Sequence, residues 1–467
     1  MPVFSRRRFL AASAASAASV GAPAVAAPPK IDFDVAIIGA GAAGIAAARR
    51  IAGTRARLAF IEASGRVGGR CFTDTATFGV PFDRGARWIH VPDLNPVTPL
   101  APNAGFDIYQ APPAQRVRIG RRNARTGEME DYLTAMVRAN RAITEAGRSR
   151  DVACAQALPR DLGEWQQTIE FVLGPFGCAK DLADVSTADF ARSAGRDTDS
   201  FCRQGLGALI ARLGDGLPVQ LSNPATRIDW SERSYIEIRT ARGRFTTRTV
   251  IVTVSTGVLA TDKPRFDPDL PRRYVDAIEK LRLGSYDHIA LELPGNPLGL
   301  RPDELVFEKS DSARTAAILA NIAGTALCTI EVAGKFGSDL AAAGEPAMVS
   351  FALEWLSGLY GADIRKAVKR TSATRWNHEP WTLGAFSAAA PGGQAARAVL
   401  AEPVRDRIFF AGEATHETLW GTVGGAWASG ERAAALALRR LGFPVEAPEP
   451  KRPPAPPRRR EQGPAAN

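Results

Sequence analysis

Short, fully apolar runs alternate with small-residue helical stretches near the start of this chain. Val35–Ile38 reads VAII, with no polar position on either face, the pattern of a strand buried on both sides. It runs directly into Gly39-Ala40-Gly41-Ala42-Ala43-Gly44. From there the pattern predicts an alanine-rich helix to about Ile51, with Gly53 placed to end it. A second apolar strand, Leu58–Ile61, finishes at Glu62. The buried-strand pattern returns far downstream in RTVIVTV (248–254) and in RIFFAG (407–412), the latter followed by a long helix through AWASGERAAALALRR. Between these segments, roughly 92–200 and 263–376, the pattern is much less diagnostic.

Composition changes this picture at the two ends. At 467 residues, 45% apolar and 23% charged, the chain is globular and too long for a single core, so two domains are expected. The first residues, MPVFSRRRFLAASAASAASVGAPAVAA, place three arginines before a soft Ala/Ser-rich run with an A-x-A site at Ala24–Ala26. Residues 1–27 resemble a twin-arginine signal peptide, which sends folded proteins across a membrane into the periplasm or medium. An ordinary export signal or a disordered basic N-terminus are the alternatives. Residues 446–467 are proline-rich and basic and are predicted to be disordered. The formal charge of +10 is partly held in these ends, and no basic motif concentrates it, which argues against nucleic acid as a partner. Five scattered cysteines and four histidines show no ligand spacing, so no metal is expected.

Strand, G-x-G-x-x-G, helix, strand and acid, with Glu62 18 residues beyond Gly44, is strong evidence for a dinucleotide site. Gly39 permits the tight turn, Gly41 lets backbone approach a pyrophosphate, and Ala43 opens the helix whose N–H groups face it. Gly44 allows the helix to pack closely on the strand. Glu62 suits ribose hydroxyls and disfavours a 2′-phosphate. Just beyond it, Gly68-Gly69-Arg70 adds a second close backbone approach and a guanidinium suited to pyrophosphate.

The run Glu62-Ala63-Ser64-Gly65-Arg66-Val67-Gly68-Gly69-Arg70, following the glycine loop, resembles the flavin amine oxidases: monoamine and polyamine oxidases, histone lysine demethylases and L-amino acid oxidases. The resemblance recurs in FDRGARWIH (82–90), in VQLSNPATRIDW (219–230) and in RIFFAGEATHETLWGTVGGA (407–426). It implies an α/β fold: a Rossmann-like FAD-binding domain with a discontinuous substrate domain of mixed sheet plus helices. The implied division is 31–91, 201–262 and 385–443 for the first, and 92–200 and 263–384 for the second. By the same likeness Gly85, Ala86 and Arg87 lie against the isoalloxazine and Ala225 near the adenine. Glu413 matches the ribityl-binding carboxylate, and Thr422 and Val423 open a helix aimed at the flavin ring.

The family's chemistry moves a hydride from the carbon beside an amine nitrogen to the flavin, giving an imine, with oxygen reduced to hydrogen peroxide. Phe386 stands at one position of the aromatic cage that orients the amine; the partner position is Thr422, so the cage is incomplete and a small arylalkylamine is not favoured over a longer amine. Trp420 either replaces the missing wall or packs at a domain contact, and Trp381 is open to the same two readings. Ala385 stands where some members carry the cysteine linked to flavin, which implies non-covalent FAD. His288 stands where relatives carry a lysine near the flavin; it either holds a water there or is a structural histidine, and His90 is a second polar group read as substrate-facing or structural. The loss of that lysine leaves room for a dehydrogenase that passes electrons from amines or alkaloids to a periplasmic cytochrome. An L-amino acid oxidase is disfavoured because no arginine is identified for the substrate carboxylate, with Arg87 and Arg375 left open. A non-catalytic flavin-binding scaffold is the reading from another class. Neither the amine nor the oligomeric state is given by the sequence.

Overall fold

The computed structural model describes residues 31–113, 115–193 and 198–445; the signal-like residues 1–27 and the proline-rich tail 446–467 lie outside the described residues. The first of two large sheets is built around five parallel strands. Their order is Val219–Gln220, Leu58–Ile61, Phe33–Ile38, the second half of Gly243–Val252, and Ile408–Phe410. The first half of Gly243–Val252 turns to an antiparallel meander with Ile236–Thr240 and Ala225–Asp229, edged by Arg265–Asp267.

The apolar runs are buried on both faces. Val35, Ile37, Phe60, Ile251 and Phe409 pack on the glycine-loop helix (Ala42–Ala52) and the closing helix (Val423–Arg440). Ala36, Ile38, Val250, Val252, Ile408 and Phe410 pack on the opposite side against Tyr274, Ala277 and Leu400. A parallel sheet must have both faces covered, which is why these strands lack a polar stripe. The two helices on the first face come so close that a Cβ on Gly430 would lie 2.0 Å from Ala43 O.

The sequence division set 263–384 wholly in the substrate domain. Arg265–Asp267 instead pairs with Ala225–Asp229, and the helix Arg272–Lys280 buries Tyr274, Ala277 and Ile278 in the first sheet's core. The polar, amphipathic character of 263–281 gave no hint of which sheet would cover its apolar side.

The second sheet runs Thr371–Ala373, Tyr286–Glu292, Leu327–Ala333, Ala317–Ala320, Glu304–Glu308, Gln115–Ile119 and Arg122–Asn123, antiparallel except between Glu304–Glu308 and Gln115–Ile119. One face buries Ile289, Ile330, Phe351 and Trp355 under the helix Glu345–Tyr360. The other carries Ala290, Phe307 and Leu319 against Phe82, Phe171 and Phe201, toward the first sheet. A long helix, Thr126–Ser149, packs beside it; Gly147 lets the segment at Thr187 approach, since a Cβ there would sit 2.1 Å from Thr187 O.

Candidate active site

The carboxyl ends of the parallel strands empty into one cavity of about 1020 Å³, lined by residues of both sheets. Ligands of open α/β sheets bind at these ends because loops, not sheet backbone, meet there. Gly39, Glu62, Thr253 and Glu413 each follow one of the strands and each line the cavity.

At the nucleotide end the two glycine segments interlock: Gly68 N donates to Ala40 O at 2.8 Å, and Gly41 bridges Gly68. A Cβ on Gly41 would meet nothing closer than Gly68 O at 3.9 Å, whereas one on Gly44 would fall 1.9 Å from Gly39 O. Gly41 and Ala43 therefore face open space, and Gly44, which does not line the cavity, is needed for helix–strand packing. Glu62 is buried; Oε2 accepts from Ala40 N at 2.6 Å and Oε1 from Ser64 N and Oγ at 2.8 Å. Oε2 keeps a lone pair for a further donor. Nearby, Asn223 is 2% exposed and its Oδ1 has no partner among the described residues. An open glycine cradle, a fixed acid and an orphaned acceptor fit an adenosine with its ribose hydroxyls, beside Ala225.

In the middle of the cavity Arg70 Nη1 donates to Glu413 Oε1 at 2.9 Å and to Ala385 O at 2.7 Å. Glu413 also accepts from Ser387 Oγ and Gly421 N, so four protein donors fix its position once Ser387 N is included. Behind it, Arg397 and Asp189 form a fully buried bidentate pair at 2.6 and 2.7 Å, and Arg397 also donates to Ser387 Oγ. Thr422 caps the closing helix: its hydroxyl accepts from Gly425 N and donates to Leu419 O. With Val423 it presents the positive end of an 18-residue helix to the cavity.

Three contacts from the second sheet clamp the Arg84–Arg87 segment. Trp376 Nε1 donates to Arg84 O at 2.8 Å, His288 Nε2 meets Gly85 O at 3.1 Å, and Arg87 Nη2 donates to Asp303 at 2.8 Å. Gly85 has no room for a side chain, because a Cβ would lie 2.0 Å from Arg70 O, and Ala86 N bonds that same carbonyl. The backbone at Gly85 and Ala86 thereby forms a flat, fixed wall of the cavity. Arg87 is neutralised by Asp303, stacks on Phe201 at 4.5 Å, and keeps an occluded Nε without a partner.

His288 is buried, with Nδ1 2.5 Å from Glu331 Oε2. Burial opposes charge on the ring, but the charge and hydrogen bond of Glu331 outweigh it, and the pKa is raised above the usual imidazole value. Both ring nitrogens have an oxygen partner in the protein, Glu331 Oε2 and Gly85 O. Nε2 thus meets the protein rather than presenting a free nitrogen for a water.

Phe386 lines the cavity next to Tyr286, ring centroids 6.0 Å apart, and Tyr286 in turn lies 5.7 Å from the His288 ring and 5.9 Å from Phe176. Trp420 reaches the cavity edge, yet it is 1% exposed, donates to Asp189 O and lies under the Arg397 guanidinium at 4.9 Å. It is wall and packing at once. His90 Nδ1 is 2.8 Å from Asp199, and the two face the cavity from adjacent strands. Trp381 lies on a different side from Phe386: its neighbour Thr382 is pinned by Ser255 Oγ at the first sheet's edge, and Glu379 sits near Arg66 beside the second glycine pair.

Tyr286, Asn223, Glu331 and the Arg397–Asp189 pair were not singled out from the sequence. A signal existed for Tyr286 alone, since residues two apart on a strand share a face and Tyr286 precedes His288 by two.

Residues 42–438 match the family described as flavin containing amine oxidoreductase, and the chain belongs to that family. Lysine-specific histone demethylase 2 of Homo sapiens is 25% identical over 449 residues, covering 86% of this chain and 53% of its own length. Probable polyamine oxidase 4 of Arabidopsis thaliana is 25% identical over 435 residues, 85% of each chain. The chain spans little more than half the length of the histone demethylases it matches. Among solved structures, cyclohexylamine oxidase from Brevibacterium oxydans IH-35A shares the fold with a TM-score of 0.74 at 19% identity, over 88% of this chain and 100% of that one. Putrescine oxidase bound to putrescine has a TM-score of 0.73 at 20% identity, over 87% and 99%. The family implies a flavin, and the cavity has the cradle, acid and helix ends to accept one.

Proposed function

We propose that this protein is an FAD-dependent amine oxidoreductase. The observation that carries the reading is the single continuous cavity, which joins a dinucleotide cradle to an arm walled by Phe176, Tyr286, Phe386 and Trp420. The glycine loop, Glu62 and Asn223 would hold the adenosine, and Arg70 with Glu413 the middle of the cofactor. Gly85 and Ala86 would support the ring, with the Val423 helix end at its edge. Ala385 offers no thiol, which favours non-covalent binding.

A flavin bound there would supply an acceptor for the hydride of the C–H bond next to an amine nitrogen and would pass the electrons on to oxygen as hydrogen peroxide. The protein's part is to orient and desolvate. Aromatic walls disfavour an ammonium and so favour the neutral amine, whose lone pair is needed as the hydride leaves. The Val423 helix end would offer partial positive charge to the negative charge that develops on a ring held there. Water admitted afterwards hydrolyses the imine to a carbonyl compound and the released amine or ammonia.

A dehydrogenase using a periplasmic cytochrome is the second reading, favoured by the His288 geometry, in which neither nitrogen is free to hold a water. Anaerobic addition of a broad amine panel to the purified flavoprotein tests the main proposal by bleaching of the flavin absorbance; no bleaching by any amine would sink it in favour of a scaffold. Stopped-flow mixing of the reduced protein with oxygen then separates the acceptors, and fast reoxidation would remove the cytochrome reading. Export of the folded, loaded protein into the periplasm fits Arg6 and Arg7; unchanged export of flavin-loaded protein after R6K/R7K substitution would remove that link.

A further inference from the structure

The arm of the cavity remote from the glycine loop is bounded by Tyr132, Met136, Leu173, Phe176, Phe190 and Tyr286. The helix Thr126–Ser149 contributes Tyr132, Leu133, Met136, Asn140 and Thr144 to the lining, so that its polar contribution is neutral, as is that of Ser193 nearby. Leu133 on that helix lines the cavity while 49% exposed, and Val137, one turn further, is 65% exposed. Leu133 and Val137 thus add exposed apolar surface beside the cavity.

Five carboxylates line the cavity among the described residues. Glu62 and Glu413 are fixed on the cofactor side by Ala40, Ser64, Arg70 and Ser387, and Glu379 stands by Arg66 beside the glycine pair. The remaining two, Asp199 and Asp303, each face a basic side chain of the Arg87–His90 segment at 2.8 Å. Among the described residues, none comes from the elements that supply Tyr132, Phe176 and Phe190. Arg87, which lines the cavity, already has its counter-ion in Asp303.

We propose that the substrate is an amine with an uncharged, apolar tail: a primary or secondary monoamine, and neither a diamine or polyamine nor an amino acid. This rests on the amine oxidoreductase reading and adds the tail's chemistry to it. A second ammonium entering this arm loses its hydration without gaining an anion, and a carboxylate finds no free cation; an alkyl or aryl tail exchanges water for apolar wall and gains by doing so. The same argument makes the entrance helix a selectivity element, because Leu133 and Met136 are the first side chains such a tail meets.

The test uses the flavin-loaded protein with phenylethylamine, hexylamine, putrescine, spermidine and phenylalanine. Anaerobic flavin reduction is expected to favour phenylethylamine and hexylamine by at least 100-fold in second-order rate constant. A diamine or phenylalanine within 10-fold of them would overturn the assignment. Perturbation of the flavin spectrum on equilibrium binding reads the same ranking without turnover. If no amine reduces the flavin, the oxidoreductase reading fails alone, and the binding order still decides the tail: hexylamine at least 10-fold tighter than putrescine supports it, and equal or reversed affinity defeats it. Met136→Glu places a carboxylate at the arm's half-buried entrance. With its melting temperature checked against the parent, it is expected to improve putrescine relative to hexylamine by about 10-fold or more. A folded variant with unchanged preference would overturn the claim that a missing anion excludes diamines.

Discussion

Arg70 and Glu413, 343 residues apart in the chain, meet at 2.9 Å on the cavity wall. The pair joins the second glycine segment to the loop before the closing helix, and Arg70 ties in the Phe386 strip as well through Ala385 O. A cofactor lying along this wall would be held by residues that are neighbours only after the whole chain has folded.

Glu413→Gln keeps the shape but removes the charge and sets an amide N–H against existing donors. Flavin affinity is expected to fall roughly 10- to 100-fold, the scale of one charge-assisted hydrogen bond at about 1.5–3 kcal/mol. Fluorescence titration of the stripped protein with FAD measures it, and undiminished affinity would count against Glu413 as a cofactor residue.

Gly41→Ala and Gly44→Ala should separate binding from folding. The first added methyl points to open cradle, so the protein should fold normally and be isolated with little flavin. The second collides with Gly39 O and should lower stability by about 1–3 kcal/mol or more before any ligand is considered. Thermal melts of both stripped proteins, with flavin content at isolation, give the comparison; equal melting losses would refute it.

Glu331→Gln leaves the buried His288 ring without its counter-ion, at an expected cost of about 3–5 kcal/mol. The raised His288 pKa should drop, and nitrogen-15 NMR titration should find a lower midpoint in the variant than in the parent. An unchanged or higher midpoint would contradict Glu331 as the cause of the shift. The sign follows from linkage: a histidine with a raised folded pKa stabilises fully below its unfolded value, and loses that contribution as pH rises through the folded one.

Asp287, fully buried, behaves in the opposite chemical sense to a paired carboxylate. Burial raises its pKa to about 6, against the hydrogen bonds from Trp376 N and Thr374, and Oδ2 has no partner among the described residues. The folded protein then binds more protons than the unfolded chain between pH about 4 and about 6. Its contribution to stability is greatest below that window and falls by about 3 kcal/mol as pH rises through it, at 1.36 kcal/mol per unit. Asp287→Asn should abolish the fall, so the variant gains on the parent above pH about 6 in melts from pH 4.5 to 7.5. Parallel curves would exclude Asp287 as the source.

The nucleotide half was legible because its signal is local. A strand, a turn with fixed glycine spacing, a helix and an acid occupy consecutive residues, and backbone geometry at Gly39 and Gly44 leaves few other choices. His288 was legible as a position and not as a state, because its charge is set by Glu331, which pairs with it across the sheet at 43 residues' distance. The placement of Arg265–Asp267 and the helix Arg272–Lys280 on the first sheet is invisible for a related reason: an edge strand and one amphipathic helix carry no mark of the sheet they join.

The sequence by itself determined the buried parallel strands, the dinucleotide cradle and the positions of Phe386, Glu413 and the closing helix, since these depend on short-range spacing and apolar period. Only the tertiary structure decided what surrounds them. It set Tyr286 beside Phe386, gave Arg70, Arg87 and His288 their counter-ions, and left the distal arm without a carboxylate among the described residues. Charge compensation and cavity walls are built by residues distant in the chain, and no local pattern records which of them will meet.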